Sequence, residues 1–406
     1  MRSSTRGWRR YSKPVAITAL ATILVVGLLV VAVGPQRAGG VVSSFNRLVQ
    51  MRAASLASFY RPSSNVDAGT VAQVNDFIVL NEGDEPYRDQ VRGSGYGGVI
   101  LQYVLMMEAH GPGPDTPACQ PEVKPANNTA ADDVGDFCQL SEDMFLHGAA
   151  GQRLFYTQGS GTRYYYLMNP GSVAWQNLWL ARMKHDADTL GYDGIFLDNL
   201  DINIAKNRWT NWDGSVQEYP GHENDATPYK NAVRDFLARI KGEIGKPVWA
   251  NMIASDHSGS DWDVFLPFLD GGMNEAFAVG YPPAYRRQSD WEGDATQAES
   301  AQAQGKGFLA VSQGTQEDVE RMRFSLATWF LIDQGNAHFR YASSKTYREL
   351  WDYPELHVDL GEPLGPRYKE GDTVWRRDFS CGTVRVDPTV PGYEFTPDES
   401  LPTCQR

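Results

Sequence analysis

The chain has 406 residues, of which 42% are hydrophobic and 12% aromatic, so it is long enough to bury a large core. Its formal net charge is −13. This charge argues against a nucleic-acid partner, because such a partner requires a basic surface that neutralises phosphates.

The N-terminal residues have the pattern of a targeting segment. Five basic residues lie within the first thirteen, and a charge-free, mostly apolar run follows from Val15 to Val33. Because this run is about long enough to span a bilayer, we expect residues 1–36 to form an uncleaved signal-anchor in a membrane. A signal peptide cleaved near Gly34 is the alternative. In either case the basic flank predicts that the rest of the chain is extracytoplasmic.

The four cysteines agree with export, since disulfides form in oxidising compartments. None belongs to a C-x-x-C pair, and no nearby histidine has the spacing of a zinc site. They fall into two local couples, Cys119 with Cys138 and Cys381 with Cys404. Two disulfides that close short loops are the simplest hypothesis, although four cysteines allow three connectivities.

Short apolar runs alternate with segments of helical periodicity from Phe77 onward, after a stalk and lead-in helix in residues 37–76. The predicted strands are residues 77–80, 98–103, 164–168, 194–197, 247–250, 272–274, 308–311 and 337–341. This alternation predicts an α/β protein, a (β/α)8 TIM barrel over residues 77–345 with a small β-rich extension over residues 346–406. A doubly wound open sheet is the alternative, but no G-x-G-x-x-G turn follows an early strand.

Polar side chains follow several predicted strands at the point where each strand ends. Asp198 comes directly after the apolar strand 194–197. In an α/β barrel these strand ends form the mouth where catalytic groups lie. A turn residue or a helix cap is the alternative for Asp198, because Asp favours both. The other polar residues at predicted strand ends are Glu82, Asp201, Asn251, Glu275 and Gln313.

Two carboxylates with amides between them, and no thiol or Ser-His-Asp arrangement, are suited to glycoside hydrolysis. Glu275 has apolar neighbours that favour the neutral, proton-donating form, so we predict it as the general acid/base. Asp198 lies in a more polar setting and is predicted as the nucleophile or stabilising carboxylate. A structural ion pair of Glu275 with Arg286 or Arg287 is the alternative.

Substrate contacts are predicted around this pair, from side chains that could bond sugar hydroxyls or stack on a sugar ring. They are Asn199, Asp201, Asn251, Glu82, Tyr281 and Gln313. A loop cap is the alternative for Asp201, a tie between loops for Asn251, and ordinary packing for Tyr281. The seven histidines form no H-x-H or H-E-x-x-H pattern, so we predict neither a metal nor a cofactor.

Three segments resemble hypothetical glycosyl hydrolase family 15, a group of TIM-barrel glycoside hydrolases. They are MNPGS (Met168 to Ser172), GYDGIFLDN (Gly191 to Asn199) and MNEAF (Met273 to Phe277). Two later segments are similar to the short β segment that follows the barrel in that family, namely Asp359 to Pro366 and Val374 to Pro388. The resemblance covers roughly residues 77–388. It implies glycosidase chemistry.

In this resemblance Asp198 matches the carboxylate of strand four, and Glu275 the carboxylate two strands on. The layout also resembles the α-galactosidase clan, in which a strand-four nucleophile works with a strand-six acid and configuration is retained. The cysteine-bearing loop and the aromatic insert after strand four depart from the family, so the resemblance implies nothing about the sugar.

The sequence therefore predicts a membrane-anchored or secreted glycosidase that cleaves O-glycosidic bonds in an extracellular or cell-envelope polysaccharide. We expect a two-carboxylate mechanism that retains configuration. A non-catalytic, surface-anchored carbohydrate-binding or scaffold barrel is the main alternative. A polysaccharide-modifying transferase on the same barrel is a third, which product analysis would distinguish.

Overall fold

Parallel strands followed by helices make up most of the computed structural model, which describes residues 54–63, 65–114, 137–158, 163–201, 204, 211, 214–253, 260–343, 345, 347–398, 400 and 404. The strands are β1 (Ala57–Phe59), β2 (Phe77–Leu80), β3 (Val99–Leu105), β4 (Glu108–Gly111), β5 (Phe155–Gln158), β6 (Arg163–Leu167), β7 (Gly194–Asp201), β8 (Val248–Ile253), β9 (Gly271–Asn274), β10 (Gly307–Gln313), β11 (Ala337–Ala342), β12 (Tyr368–Glu370), β13 (Val374–Phe379), β14 (Gly382–Asp387) and β15 (Gly392–Pro397). The α-helices are α1 (Ala68–Val74), α2 (Glu85–Gly93), α3 (Val173–Thr189), α4 (Thr227–Ile244), α5 (Ser260–Phe265), α6 (Gln288–Ala303) and α7 (Val319–Ile332). Short 3-10 helices lie at Phe137–Gln139, Glu142–Met144, Leu266–Phe268 and Pro354–His357.

The central sheet has eight strands in the order β1-β2-β3-β7-β8-β9-β10-β11, and every neighbouring pair is parallel. A single parallel bridge between Leu56 and Phe339 joins the last strand to the first. The Phe339 N–H also donates to the Ser55 carbonyl at 2.7 Å. The sheet is therefore a nearly closed α/β barrel, as predicted, and its carboxyl-terminal strand ends form one rim.

Two of the predicted barrel strands need correction. β1 lies within residues 37–76, which we interpreted as stalk and helix, so the barrel begins before Phe77. Residues 164–168 instead contribute to β6, which lies between β4 and β5 in a separate antiparallel sheet. β1 has only three residues, too few to show a period, and an apolar run does not reveal which sheet it joins. The two errors cancel, so β7 is the fourth barrel strand.

Helix α3 shows how the outer helices are fixed to the barrel. The Ser172 hydroxyl caps its first turn by accepting from the Trp175 N–H at 3.2 Å. The indole N–H groups of Trp175 and Trp179 donate to the Met106 and Leu105 carbonyls, each at 3.0 Å. Both rings are fully buried, so they satisfy carbonyls at the end of β3 where water is excluded.

The C-terminal strands β12 to β15 form an antiparallel sheet that packs on α7. The Phe330 ring on α7 lies 6.0 Å from that of Phe379 and 5.9 Å from that of Phe395. Cys381 is bonded to Cys404, which confirms that predicted disulfide. Cys119 lies outside the described residues, so the predicted Cys119–Cys138 bond stays a prediction.

The predicted targeting segment, residues 1–36, also lies outside the described residues. In the part of the chain that the structure describes, no helix combines the length and apolar character needed to cross a bilayer. The signal-anchor therefore stays a prediction from the sequence.

Candidate active site

A bulge at the end of β7 places two polar residues at the barrel mouth. The pairing of β7 with β8 shifts register between Leu197 and Leu200, and Asn199 has a φ of 51°. Leu197 and Leu200 are buried, whereas Asp198 and Asn199 are half-buried. The sequence predicts a strand that ends at Leu197; instead the strand continues to Asp201, and the bulge re-aims its side chains toward the mouth.

Asn251 on β8 connects the two predicted carboxylates. Its amide nitrogen, Nδ2, lies 2.9 Å from Asp198 Oδ1 and 3.0 Å from Glu275 Oε2. Those two oxygens can therefore be no more than about 6 Å apart. Asn251 is only 2% exposed, so its amide is held between the two carboxyl groups in a site with little water. The structure thus brings together three predicted residues from the neighbouring strand ends of β7, β8 and β9.

The other oxygen of Glu275 is also hydrogen-bonded. The Tyr347 hydroxyl donates to Glu275 Oε1 at 2.5 Å. Gln313 Nε2 lies 3.2 Å from the same oxygen and 3.0 Å from the Tyr347 hydroxyl. Gln313 is 1% exposed and orients Glu275, so its position is that of a support for the carboxylate. Both oxygens of Glu275 are therefore fixed in place.

The arginines offered as structural partners for Glu275 have carboxylate partners of their own. Arg286 Nε lies 2.6 Å from Asp294 Oδ2, and Arg287 Nε lies 3.0 Å from Asp290 Oδ2. The Asp294 carboxylate also accepts from the Ala278 N–H at 3.0 Å. These pairs hold the segment after β9.

Three tyrosines that the sequence did not single out surround the carboxylates. The Tyr103 hydroxyl on β3 donates to Asp198 Oδ2. Tyr60 directly follows β1, and its ring lies 5.3 Å from that of Tyr103 and 6.5 Å from that of Tyr347. Phe59 packs against this cluster, with its ring 6.0 Å from that of Tyr347. The site is therefore a carboxylate pair in an aromatic, hydroxyl-rich wall.

Burial fixes the protonation state of these tyrosines. Burial and then the charge of Asp198 raise the pKa values of Tyr60 and Tyr103 far above the ordinary value. Burial and then the charge of Glu275 do the same to the pKa of Tyr347. All three phenols therefore stay protonated at neutral pH, and those of Tyr103 and Tyr347 can act as permanent donors to the carboxylates.

The sequence profile of hypothetical glycosyl hydrolase family 15 matches residues 119–383, more than half of the chain. The chain belongs to this family. It is a glycosidase, as predicted. The carboxylate pair lies at the carboxyl-terminal strand ends, the rim that carries catalytic groups in α/β barrels generally. No match was found among curated protein sequences.

Solved structures with a similar fold are remote in sequence. The glycoside hydrolase domain of PelA from Pseudomonas aeruginosa is 16% identical, with a TM-score of 0.46 over 73% of this chain and 97% of that one. Ega3 from Aspergillus fumigatus, solved with galactosamine, is 11% identical, with a TM-score of 0.43 over 75% and 97%. The α-galactosidase TtGalA from Thermus thermophilus is 13% identical, with a TM-score of 0.44 over 88% and 71%.

Two further predicted residues of the glycosidase lie on the bulged end of β7. Asn199 Nδ2 lies 3.5 Å from the buried carboxylate of Glu108, which also accepts from the Tyr156 hydroxyl at 2.6 Å. Asp201 is 1% exposed, and its carbonyl accepts from the Tyr229 hydroxyl at 3.1 Å. Asn199 thus faces a third carboxylate beside the pair, whereas Asp201 is enclosed by protein. Substrate contact by either residue stays a prediction.

The side chains of Glu82 and Tyr281 have different surroundings. The Glu82 carboxylate pairs with Arg182 on α3 at 2.8 Å, which ties the segment after β2 to an outer helix. Tyr281, six positions after Glu275, is 59% exposed. An exposed ring is suited to stacking on a sugar, whereas an ion-paired carboxylate is suited to holding a loop. Substrate contact by either residue stays a prediction.

Proposed function

We propose that the enzyme hydrolyses O-glycosidic bonds of a polysaccharide with retention of configuration, using Asp198 and Glu275. The observation that carries the proposal is the Asn251 nitrogen, which bonds one oxygen of each residue at 2.9 and 3.0 Å. Retaining enzymes hold their carboxyl groups about 5–5.5 Å apart, and inverting enzymes about 6.5–9.5 Å apart. The upper limit of about 6 Å for this pair of oxygens is closer to the retaining separation than to the inverting one, and it supports retention.

We assign nucleophilic attack to Asp198 and proton transfer to Glu275, in the order that the resemblance to the α-galactosidase clan implies. Asp198 attacks the anomeric carbon and forms an ester with the sugar, while the leaving oxygen takes the proton of Glu275. The ionised Glu275 then accepts a proton from water, and that water oxygen displaces Asp198 from the sugar.

The hydrogen bonds to Asp198 suit a nucleophile, but Glu275 also accepts hydrogen bonds, so the order of the two roles rests on the resemblance. Tyr103 donates to one oxygen and Asn251 to the other. Donors of this kind stabilise the ionised carboxylate, which is the form that attacks. Because burial keeps the Tyr103 phenol protonated, this support persists across the pH range in which glycosidases act.

Asp198→Asn and Glu275→Gln test the assignment. Each should lower kcat by at least about a thousandfold without loss of folding, because each removes a group that makes or breaks bonds. The purified protein is first assayed on a panel of polysaccharides to find a substrate, and NMR then shows the anomer that is released first. Release of the inverted anomer, or full activity in either variant, would refute the mechanism.

Glu299→Gln is a matched control for these variants. Its carboxylate lies 2.7 Å from Arg367 Nε on the outside of the barrel, and the change in the side chain is the same as in Glu275→Gln. We expect this variant to keep its activity. Similar losses in Glu299→Gln and Glu275→Gln would indicate that the amide substitution acts through folding.

We also propose that the enzyme acts outside the cytoplasm on an extracellular or cell-envelope polysaccharide, tethered by its N-terminal segment or secreted. The apolar run from Val15 to Val33 and the Cys381–Cys404 disulfide support this location. Protease treatment of intact cells tests it, since an external barrel would be digested while cytoplasmic proteins survive. Protection of the barrel in intact cells would contradict the proposal.

A further inference from the structure

Arg340 on β11 is a buried cation whose charge has no carboxylate partner among the described residues. Its side chain is 6% exposed, and burial lowers the pKa of its guanidinium to about 10, so it stays charged at neutral pH. A buried charge is unfavourable unless it is paired or hydrogen-bonded. The acceptors of its hydrogen bonds therefore indicate which part of the chain Arg340 holds in place.

Within the described part of the chain, the hydrogen bonds of the Arg340 side chain all go to one loop. Its Nη2 donates to the Tyr347 carbonyl at 3.0 Å and to the Glu349 carbonyl. Its Nε is buried without an acceptor. Arg321, another buried arginine, uses all three guanidinium nitrogens on backbone carbonyls. The buried charge of Arg340 thus has fewer hydrogen bonds to offset its loss of water than that of Arg321. In the described contacts these bonds go to the backbone of residues 347–349.

That loop carries the hydroxyl nearest to the acid/base of the proposed reaction. The Tyr347 hydroxyl donates to Glu275 Oε1 at 2.5 Å and receives a hydrogen bond from Gln313 Nε2 at 3.0 Å. Tyr347 lies 72 positions beyond Glu275, so nothing local in the chain fixes their separation. A shift of the loop by about 1 Å would break this contact, because hydrogen bonds weaken steeply with distance and angle.

We propose that Arg340 is a positioning residue of the glycosidase, which holds the backbone of residues 347–349 so that the Tyr347 hydroxyl stays on Glu275. This inference rests on the proposed role of Glu275 as acid/base. Arg340 itself touches neither carboxylate in the described contacts and acts through Tyr347.

A double-mutant cycle of Arg340→Met and Tyr347→Phe tests the proposal on the full-length enzyme. Methionine keeps much of the side-chain length but donates no hydrogen bond, and phenylalanine keeps the ring. Tyr347→Phe should lower kcat/KM by about tenfold, as expected for loss of a hydrogen bond to a charged group. Arg340→Met should lower it by a similar factor, and the double variant should be no worse than either single variant.

The pH profile of kcat/KM provides a readout that a merely structural role would not move. The Tyr347 hydroxyl stabilises the ionised form of Glu275, so its loss makes Glu275 hold its proton to higher pH. The basic limb, which reports the essential acid of the free enzyme, should move up by about one pH unit in both single variants. Arg340→Lys, which keeps a charged donor, should restore part of the rate and of the limb.

Arg377→Met is the matched control. Arg377 on β13 is also buried. It donates to the carbonyl of Phe330 on α7 at 2.9 Å and to the Gly365 carbonyl at 2.9 Å, far along the chain from Glu275. This variant should lose thermal stability without moving the basic limb. The proposal is overturned if Arg340→Met and Tyr347→Phe are additive, if the limb stays in place, or if neither Arg340 variant folds. Failure of the proposed function is distinct, because Glu275→Gln would then remain active.

Discussion

The two halves of the barrel mouth contribute different chemistry. Four neighbouring strands, β7 to β10, provide the carboxylate half, which comprises Asp198, Asn251, Glu275 and Gln313. The other four strands and the segments after them provide the tyrosine half, which comprises Tyr60, Tyr103 and Tyr347. The first half holds the groups that react, and the second donates hydrogen bonds to them from a buried aromatic wall.

Each reacting carboxyl group is held by hydrogen bonds from both halves of the mouth. Asp198 accepts from Asn251 within its own half and from Tyr103 across the mouth. Glu275 likewise accepts from Gln313 within its half and from Tyr347 across the mouth. A substitution of Asn251, which bonds both carboxyl groups, disturbs both acids at once, whereas a tyrosine substitution disturbs one. The effects should therefore differ in size.

Asn251→Ala should have the largest of these effects. It removes the donor that both carboxyl groups share, whose nitrogen lies 2.9 Å from the Asp198 oxygen and 3.0 Å from the Glu275 oxygen. We expect kcat to fall about a hundredfold to a thousandfold, as for loss of a preorganised donor in other active sites. Steady-state kinetics on the identified substrate measures the change.

Asn251→Asp is the matched control, because aspartate has nearly the same shape but places a third carboxylate between the other two. If hydrogen-bond donation is what matters, this variant should be at least as impaired as Asn251→Ala. Activity near the wild-type level in Asn251→Asp would show that Asn251 acts by packing alone.

Tyr103→Phe should have a smaller effect, because one carboxylate loses one donor and the ring remains. We expect kcat/KM to fall about tenfold. Tyr192→Phe is a suitable control, since that buried hydroxyl also donates to a carboxylate, Glu85, at 3.1 Å. Its loss should reduce stability in thermal unfolding but leave kcat/KM in place. Equal kinetic losses in the two variants would remove the special role of the tyrosine half.

The carboxylate half could be predicted from the sequence because parallel strands end at the same rim. A polar residue that follows an apolar run, as Asp198 follows Leu197, must then lie near the others of its kind. Asn251 and Glu275 are found in the same way. The strand limits were predicted less accurately. β7 continues to Asp201 through a bulge, but the pair Asp198-Asn199 at that bulge has the composition of a turn.

The tyrosine half could not be predicted for three separate reasons. Tyr60 follows β1, a strand of three residues that shows no periodicity. Tyr103 lies in a predicted strand, but a tyrosine in a strand is usually ordinary packing. Tyr347 lies in a loop whose path over the mouth depends on Arg340 and on packing against Phe59. The signal that the sequence does carry is a hydroxyl at or beyond a strand end.

The smallest effect we predict is spectroscopic, and it tests whether the two halves are electrostatically coupled. The charge of Asp198 helps burial to raise the pKa values of Tyr60 and Tyr103. Removing that charge in Asp198→Asn should let tyrosinate form at lower pH than in the wild type, detected by ultraviolet absorbance. Because these pKa values are raised in the folded state, their contribution to stability is complete below about pH 10 and is lost as the pH rises further. Asp198→Asn should therefore narrow the alkaline pH range over which this stability is lost. Asp193→Asn, at the other end of β7, is the control and should leave the tyrosinate titration unchanged. Identical titrations in Asp198→Asn and the wild type would show that burial alone sets the tyrosine half.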